Sequence, residues 1–182
     1  MSSKFLESER LYLRNFEEAD FAAVHAYGSM VNFAQYELWE PNIKPYSLQF
    51  IQKAISDATY LPRNSHDMAI ILKITETLIG HAHIARDLEN DKIGNVGYSI
   101  NPKFQNQGFA TEICTALIDY GINQLYLTKL YATCDTRNIA SVRVLEKSGM
   151  QRVAHMIGDR QIGGKIYDSY RYEIDAQQWS QL

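Results

Sequence analysis

Two spacings of apolar residues alternate along the chain, one typical of helices and the other of strands. Ile51, Ala54 and Ile55 lie three or four positions apart, as on one face of a helix, whereas short alternating or continuous apolar runs mark strands. No Pro/Gly-rich linker, repeat or low-complexity stretch separates these segments. The predicted strands are 11–13, 68–74, 78–85, 94–100, 129–135, 151–157 and 165–174, and the predicted helices are 17–27, 47–58, 108–125 and one starting at Asn138.

The polar loop at residues 105–111 (QNQGFAT) has the features of an anion-binding site. It follows the strand ending at Ile100 and opens the amphipathic segment 108–125. Because the first amides of a helix lack intrahelical acceptors and the helix dipole adds positive potential, such a loop can hold a phosphate. The glycine alone would equally suit an ordinary helix start. The chain contains neither Gly-x-x-x-x-Gly-Lys-Ser/Thr, the motif of nucleoside triphosphatases, nor Gly-x-Gly-x-x-Gly, the motif of dinucleotide folds. Neither class of protein is therefore supported.

Two further segments, read with this loop, resemble a known superfamily. Residues 138–150 begin with the good N-cap residue Asn138 and end after Gly149, a common residue at helix C-termini. The loop order Gln-x-x-Gly-x-Ala, the Asn-x-x-Ser helix start and the Glu-Lys-x-Gly exit resemble the GNAT acyl-CoA N-acyltransferases. The openings 9–14 (ERLYLR) and 17–20 (EEAD) resemble the RimJ/RimL-type branch, the ribosomal-protein N-terminal acetyltransferases and their relatives. The resemblance covers nearly the whole chain.

The resemblance implies one α/β (α+β) domain over residues 1–182. Its mixed, mostly antiparallel seven-stranded sheet would be flanked by about four helices, and a splayed strand pair would hold acetyl-CoA. The loop would bind the pyrophosphate and a strand edge would pair with pantetheine. The expected cofactor-binding residues are Tyr98, Ser99, Ile100, Gln105, Asn106, Gln107, Gly108, Phe109, Ala110, Thr111 and Asn138.

On the cofactor side, Asn106 departs from the family pattern, and Gly97 is a candidate for stabilising the oxyanion. The family commonly has glycine where this chain has Asn106, but asparagine is among the residues that best tolerate a positive φ. Gly97 suggests a β-bulge that would aim a backbone amide at the acetyl oxygen and stabilise the developing oxyanion. Simple strand packing is the alternative interpretation of Gly97.

The routes for the two protons of the reaction differ from those of many relatives. Leu145 stands where many GNAT enzymes have a tyrosine, so Ser141 is the expected donor to the CoA sulfur, unless its hydroxyl only bonds its own helix terminus. Asn95 stands where a carboxylate base is common. Because an α-amino group has a pKa of about 7.7–8.0, against about 10.4 for lysine, the missing base favours an α-amine acceptor.

The acceptor region is expected in the aromatic stretch 32–46 and on the adjoining strand. Its expected substrate-binding residues are Tyr36, Glu37, Trp39 and His83. His81 and His83 lie on one strand face and are alternative bases; a third metal ligand is not evident, and no metal is expected. The stretch 32–46 or the last strand pair could equally form a homodimer interface.

Composition supports a globular protein of one domain. The 182 residues are long enough to bury roughly 70% of the unfolded surface. The net charge of −3 disfavours nucleic-acid binding. Two cysteines fit a reducing compartment, and neither a transmembrane run nor a signal-peptide core is evident, so a cytoplasmic location is expected.

Three functions follow from these observations. The first is acetyl transfer to a protein N-terminal α-amine, such as that of a ribosomal protein, by direct attack in a ternary complex. The second changes the acceptor to a small amine, namely a polyamine, an amino acid or an antibiotic. The third is a CoA-binding module without turnover, suggested by Leu145 and Asn95.

Overall fold

A mixed sheet of eight strands forms the centre of the protein in a computed structural model that describes residues 4–36 and 44–182. The sheet order is β1-β2-β3-β4-β5-β6-β8-β7. The strands are β1 (Lys4–Glu7), β2 (Leu11–Asn15), β3 (Ser65–Leu72), β4 (Thr77–Arg86), β5 (Ile93–Ile100), β6 (Lys129–Asp135), β7 (Gln151–Ile162) and β8 (Lys165–Asp175). The helices are α1 (Phe21–Gly28), α2 (Val31–Ala34), α3 (Lys44–Asp57), α4 (Phe109–Asn123), α5 (Ile139–Lys147) and α6 (Ala176–Trp179).

Helices cover both faces of the sheet, because its central strands are apolar on both sides. In β3, Met68 and Ile70 point into a core shared with α4, whereas Ala69 and Ile71 point into a second core shared with α1 and α3. This arrangement explains the continuous apolar run of β3, since a strand buried on both faces does not alternate. Among the described residues, no helix is long and apolar enough to cross a membrane.

The predicted α/β class, mixed sheet and splayed strand pair are confirmed. β5 and β6 run parallel, and their ladder extends only from Ile93 opposite Lys129 to Asn95 opposite Tyr131. Beyond Asn95 the two strands separate, and β5 continues to Ile100 paired with β4 alone. The other ladders between the described strands are antiparallel.

The sheet has one strand more than the seven predicted. The extra strand, β1, pairs antiparallel with β2 at the edge of the sheet. Its four residues, KFLE, are too few to show an alternating pattern, and Phe5 and Leu6 pack against the core from a half-buried position. A short edge strand of this kind is defined by its neighbour and not by its own sequence.

The predicted position of a β-bulge was wrong. The expected bulge at Gly97 is absent from the β4–β5 ladder, which runs without a shift from Gly80 opposite Ile100 to Arg86 opposite Gly94. A bulge lies instead in β4, where Ile79 is the extra residue between the pairs Ile71–Leu78 and Ile70–Gly80. Glycine is required at position 80, because a Cβ there would lie 2.1 Å from the Ser99 carbonyl oxygen.

The final hairpin is longer than predicted. β7 continues through Asp159 to Ile162, and the turn to β8 is formed by Gly163 and Gly164. Asp159 lies in a strand irregularity, since the β7–β8 register shifts between Met156 and Arg160.

Candidate active site

A cavity of about 490 Å³ lies where β5 and β6 separate. It is walled by β4, β5, β6, the start of α5 and the distal part of β7. The splay and the cavity coincide, because strands that no longer pair with each other leave room between their side chains. Of the predicted site residues, the cavity brings together Tyr36, His83, Gly97, Tyr98, Ser99, Asn138 and Ser141.

The loop 105–108 leaves β5 at one end of this cavity and leads into α4. A single 3₁₀ turn, Pro102–Phe104, precedes it, and the Gln105 side-chain amide donates to the Ile100 carbonyl at 3.0 Å. Asn106 and Gly108 have φ of +62° and +81°, in the left-handed region. The expectation that asparagine would tolerate a positive φ at position 106 is confirmed.

An arginine that sequence reasoning left without a role braces this loop. The guanidinium of Arg10 donates to the Gln107 carbonyl at 2.9 Å and pairs with the Glu112 carboxylate at 2.8 Å. It also lies 4.5 Å from the centre of the Phe109 ring. Glu112 accepts further hydrogen bonds from the Arg10 amide at 2.8 Å and the Ser8 hydroxyl at 2.7 Å. We call these three residues, Ser8, Arg10 and Glu112, the loop brace.

The start of α5 supplies a second wall of the cavity. Asn138 caps the helix, its side-chain oxygen accepting from the Ser141 amide at 3.1 Å. The Ser141 hydroxyl lies close to the buried hydroxyl of Tyr98, and burial raises the pKa of Tyr98 well above its usual value. Leu145, one turn further on, is buried. Two hydroxyl groups therefore lie where α5 meets β5.

A polar network crosses three strands on the other side of the cavity. His83 is opposite Asp67 on β3 and opposite Gly97 on β5, so the three residues form one row across the sheet. Nδ1 of His83 lies 2.9 Å from the Asp67 carboxylate, and Nε2 lies 3.1 Å from the Asn95 side-chain oxygen. His81 lies on the same face, 3.7 Å from Asp67 and 3.2 Å from the Ser99 hydroxyl.

Asp67 fixes the orientation of both histidines. Burial would raise the pKa of its carboxyl group, but the hydrogen bonds from His81 and His83 outweigh burial and hold this pKa well below its usual range. The carboxylate is therefore ionised and accepts the Nδ1 proton of His83. With Nδ1 held by Asp67, Nε2 is the ring nitrogen of His83 left to exchange a proton, and its described neighbour is the Asn95 side chain.

The far end of the cavity is polar and carries charges of both signs. Asp135, which is 0% exposed, accepts two hydrogen bonds from the Arg137 guanidinium, at 2.8 and 2.6 Å. Arg137 in turn lies 3.4 Å from the centre of the Tyr167 ring and 5.7 Å from that of Tyr36. Arg160 of β7 lines the same end.

Cys134 also lines the cavity, but its thiol is poorly suited to nucleophilic attack. Burial is the main cause that raises the pKa of Cys134 to about 11. Cys114, a buried residue of α4, has its pKa raised to about 11 by burial as well. Because the thiolate is the nucleophile, neither cysteine offers one at neutral pH.

Some predicted residues lie elsewhere. Glu37 and Trp39 fall outside the described residues. The loop residues from Gln105 to Thr111 do not line the cavity; they follow β5 in the chain and lead into α4. No group of three metal-ligating side chains occurs among the described residues.

Sequence reasoning missed Asp67, Arg10 and Arg160. For Arg10 a signal existed, since it lies in the family-like opening 9–14, but its partner Glu112 is 102 positions away. For Asp67, the signal was a carboxylate in an apolar strand beside the His-x-His strand.

Comparison with known proteins identifies the family. Residues 10–151 match the sequence model of the acetyltransferase (GNAT) domain. An uncharacterized N-acetyltransferase of Bacillus subtilis (strain 168), YnaD, is 30% identical over 175 residues, which are 96% of this chain and 99% of the relative. The crystal structure of a GNAT-family acetyltransferase from Bacillus anthracis matches with a TM-score of 0.84 and 29% identity, covering 95% of this chain and 99% of its own.

Two solved structures of lower identity share the fold. One is spermidine N-acetyltransferase from Vibrio cholerae in complex with CoA and spermine, with a TM-score of 0.79, 22% identity, and 94% and 98% of the two chains covered. The other is RimL, a ribosomal L7/L12 α-N-protein acetyltransferase, with a TM-score of 0.81, 21% identity, and 96% and 95% covered. The domain match and the relatives agree with the splayed sheet: this chain belongs to the GNAT family and is an acetyl-CoA-dependent N-acetyltransferase.

Proposed function

We propose that the enzyme acetylates the α-amine of a peptide or protein N-terminus. The observation that carries this choice is the charge of the described cavity. Both of its carboxylates are already bound, Asp67 by two histidines and Asp135 by Arg137. A polyamine, with several positive charges, would find no unpaired carboxylate among the described lining residues. An acceptor with a single amine needs none.

The row Asp67–His83–Gly97 supports direct transfer within a ternary complex. In this mechanism His83 removes the proton from the attacking amine, and Asp67 orients its ring. Proton transfer by a positioned side chain typically contributes about 10²–10⁴-fold to the rate. His83 lies opposite Gly97, the residue at which the family places the acetyl group. The absence of a carboxylate at Asn95 therefore no longer supports an α-amine acceptor, because a histidine can supply the base.

The cofactor side of the mechanism uses the remaining predicted residues. The edge of β5 at Tyr98, Ser99 and Ile100 would pair with pantetheine, because the strand has lost its neighbour β6 there. The left-handed φ of Asn106 and Gly108 would turn loop amides toward the pyrophosphate. Ser141, beside Tyr98, would protonate the departing CoA thiolate. The protonated Cys134 makes an acetyl-cysteine intermediate unnecessary.

A small amine is the second candidate acceptor. It is favoured by the shared fold of the spermidine N-acetyltransferase, whereas the fold of RimL favours a protein N-terminus. The RimJ/RimL-type branch and a homodimer both stay predictions. A CoA-binding module without turnover is no longer favoured, since the chain is an N-acetyltransferase.

The test is CoA release from acetyl-CoA with a panel of peptides that carry free N-termini, set against spermidine, free lysine and aminoglycosides. Mass spectrometry of the product would identify the acetylated nitrogen. We expect turnover of peptide α-amines, with Ser141→Ala lowering kcat about tenfold, which corresponds to about 1.4 kcal/mol. Turnover of spermidine in preference to every peptide would overturn the proposal.

A further inference from the structure

Arg160 is the charged residue lining the described cavity that no other described side chain contacts through a hydrogen bond or an ion pair. It is half-buried, and no described hydrogen bond or ion pair joins it to another described residue. Asp67 and Asp135, by contrast, are each bound by side chains of the protein. A half-buried cation without a partner is costly, so it indicates a position at which a ligand supplies the negative charge.

The backbone around Arg160 is shaped by a strand irregularity. Between the pairs Met156–Ser169 and Arg160–Tyr167, three residues of β7 oppose Asp168 alone. Such bulges commonly redirect a side chain next to an active site. Without the extra residues, Arg160 would take a different place along the edge of the hairpin.

Hydrogen bonds from β8 hold this bulge in place. The Asp168 carboxylate accepts from the Gly158 amide at 2.9 Å and lies 2.9 Å from Nε2 of His155. The buried Ser169 hydroxyl donates to the Asp159 carboxylate at 2.7 Å. Because these polar groups fix the bulge from both sides, the position of Arg160 is defined by the fold.

The charge of Arg160 acts inside the cavity. For Asp135, burial opposes ionisation, hydrogen bonds from Arg137 favour it, and the charge of Arg160 adds to the lowering of its pKa. Arg137 cannot serve a ligand in the same way, since its guanidinium is bound to Asp135 and lies on the Tyr167 ring. In the part of the chain that the structure describes, Arg160 therefore supplies the guanidinium at this end of the cavity that is not bound to a carboxylate.

We propose that Arg160 binds a carboxylate of the acceptor, so that the preferred acceptor is a peptide N-terminus with an acidic side chain in its first three residues. This inference rests on the proposed α-amine function and narrows it. Arg160 and His83 line the same cavity, so an acceptor whose amine reaches His83 can present its next side chains to Arg160. Arginine suits this task, because its planar fork pairs with a carboxylate through two hydrogen bonds.

The test compares kcat/KM for matched peptides that differ at one of the first three positions by Glu, Gln or Lys, each with an amidated C-terminus. We expect wild-type enzyme to prefer Glu over Lys by about tenfold at one of these positions. Arg160→Gln should abolish the preference, and Arg160→Glu should reverse it. Arg152→Glu is the matched control, because Arg152 lies on the same strand but outside the cavity, against Tyr170.

Each outcome separates this inference from the function on which it rests. Peptides acetylated without a charge preference, or with one that survives Arg160→Gln, would overturn the role of Arg160 and leave the α-amine function standing. Acetylation of spermidine but of no peptide would overturn both. Unchanged melting temperatures of the Arg160 variants would show that the altered preference does not come from misfolding.

Discussion

The two sides of the cavity are built from different kinds of sequence. The cofactor side comes from two short continuous stretches, residues 96–111 and 138–141, whose helix starts, caps and turns depend on neighbours in the chain. The acceptor side is assembled from single residues of β3, β4, β6 and β7. Motifs therefore describe the first side well and the second poorly, and the enzyme class was predictable where the acceptor was not.

The largest expected effect lies on the acceptor side. His83→Gln should lower kcat about 10²–10⁴-fold, because it removes the base, and should leave the KM for acetyl-CoA unchanged. Asp67→Asn, which loses only the orienting charge, should cost about 10–100-fold, as expected for hydrogen bonds to a charged group. Steady-state kinetics with a peptide acceptor would measure both.

The matched control for this pair is His155→Gln. His155 forms a histidine–aspartate pair of the same length, 2.9 Å, with Asp168, but it is exposed and lies outside the cavity. With a peptide that carries no acidic side chain near its N-terminus, we expect its kcat to stay within about twofold of wild type, since a surface pair contributes little and its effect on the β7 bulge would act through Arg160 alone. A fall in kcat of less than threefold in His83→Gln would rule out histidine as the base.

The next effect concerns the loop brace. Arg10→Gln should lower kcat/KM for acetyl-CoA about tenfold, because the loop that holds the pyrophosphate loses its link to Glu112. S-acetylpantetheine lacks the pyrophosphate, so its kcat/KM should not change. Equal losses with both donors would mean that Arg10 only stabilises the fold.

Arg152→Gln serves as the control for Arg10. The Arg152 guanidinium lies 4.5 Å from the centre of the Tyr170 ring, much as that of Arg10 lies against Phe109. Arg152 is on β7, however, and is far from the loop in the sequence. Arg152→Gln should leave kcat/KM for acetyl-CoA unchanged.

A smaller effect is expected at Asn106, whose φ is +62°. Asn106→Val should weaken CoA binding by about 1–2 kcal/mol, the cost of a left-handed conformation for a residue with a side chain that disfavours it. Asn106→Gly should bind CoA as well as wild type, because glycine adopts this φ freely. Calorimetric titration with CoA would measure the difference. Weaker CoA binding by the Asn106→Gly variant than by the Asn106→Val variant would refute the backbone explanation.

The smallest effect is expected at Cys134. Because burial raises the pKa of its thiol to about 11, Cys134→Ala should keep kcat within about threefold of wild type. No acetylated enzyme should appear in mass spectra of rapidly quenched reactions. A trapped acetyl group on the wild-type cysteine would contradict direct transfer.

The register of one hairpin explains why the histidine–aspartate pair was not predicted. Counting back from the turn, where Leu72 is opposite Thr77, places Asp67 opposite Ala82. The extra residue Ile79 shifts the ladder by one, and Asp67 comes to lie opposite His83. A bulge inside a strand leaves the apolar pattern nearly unchanged, so periodicity could locate both strands but not their pairing.

The cofactor loop was predictable for the opposite reason. Its φ values, helix start and capping contacts depend on neighbours in the chain, and Asn106 and Gly108 are residue types that suit the left-handed region. The same locality explains why Asn138 was expected as a helix cap. Arg10 and Glu112, which meet across most of the chain, could not be paired from residue types.

The separation of β5 and β6 has a consequence for solubility and handling. Beyond Asn95, both strands expose an unpaired edge in the middle of the sheet, where another extended chain can add as a strand. Such an edge is a template for aggregation in a protein without ligand. A pantetheine arm bound along β5 would cover it, so CoA should act as a solubilising additive during purification and should slow amide hydrogen exchange along residues 96–100.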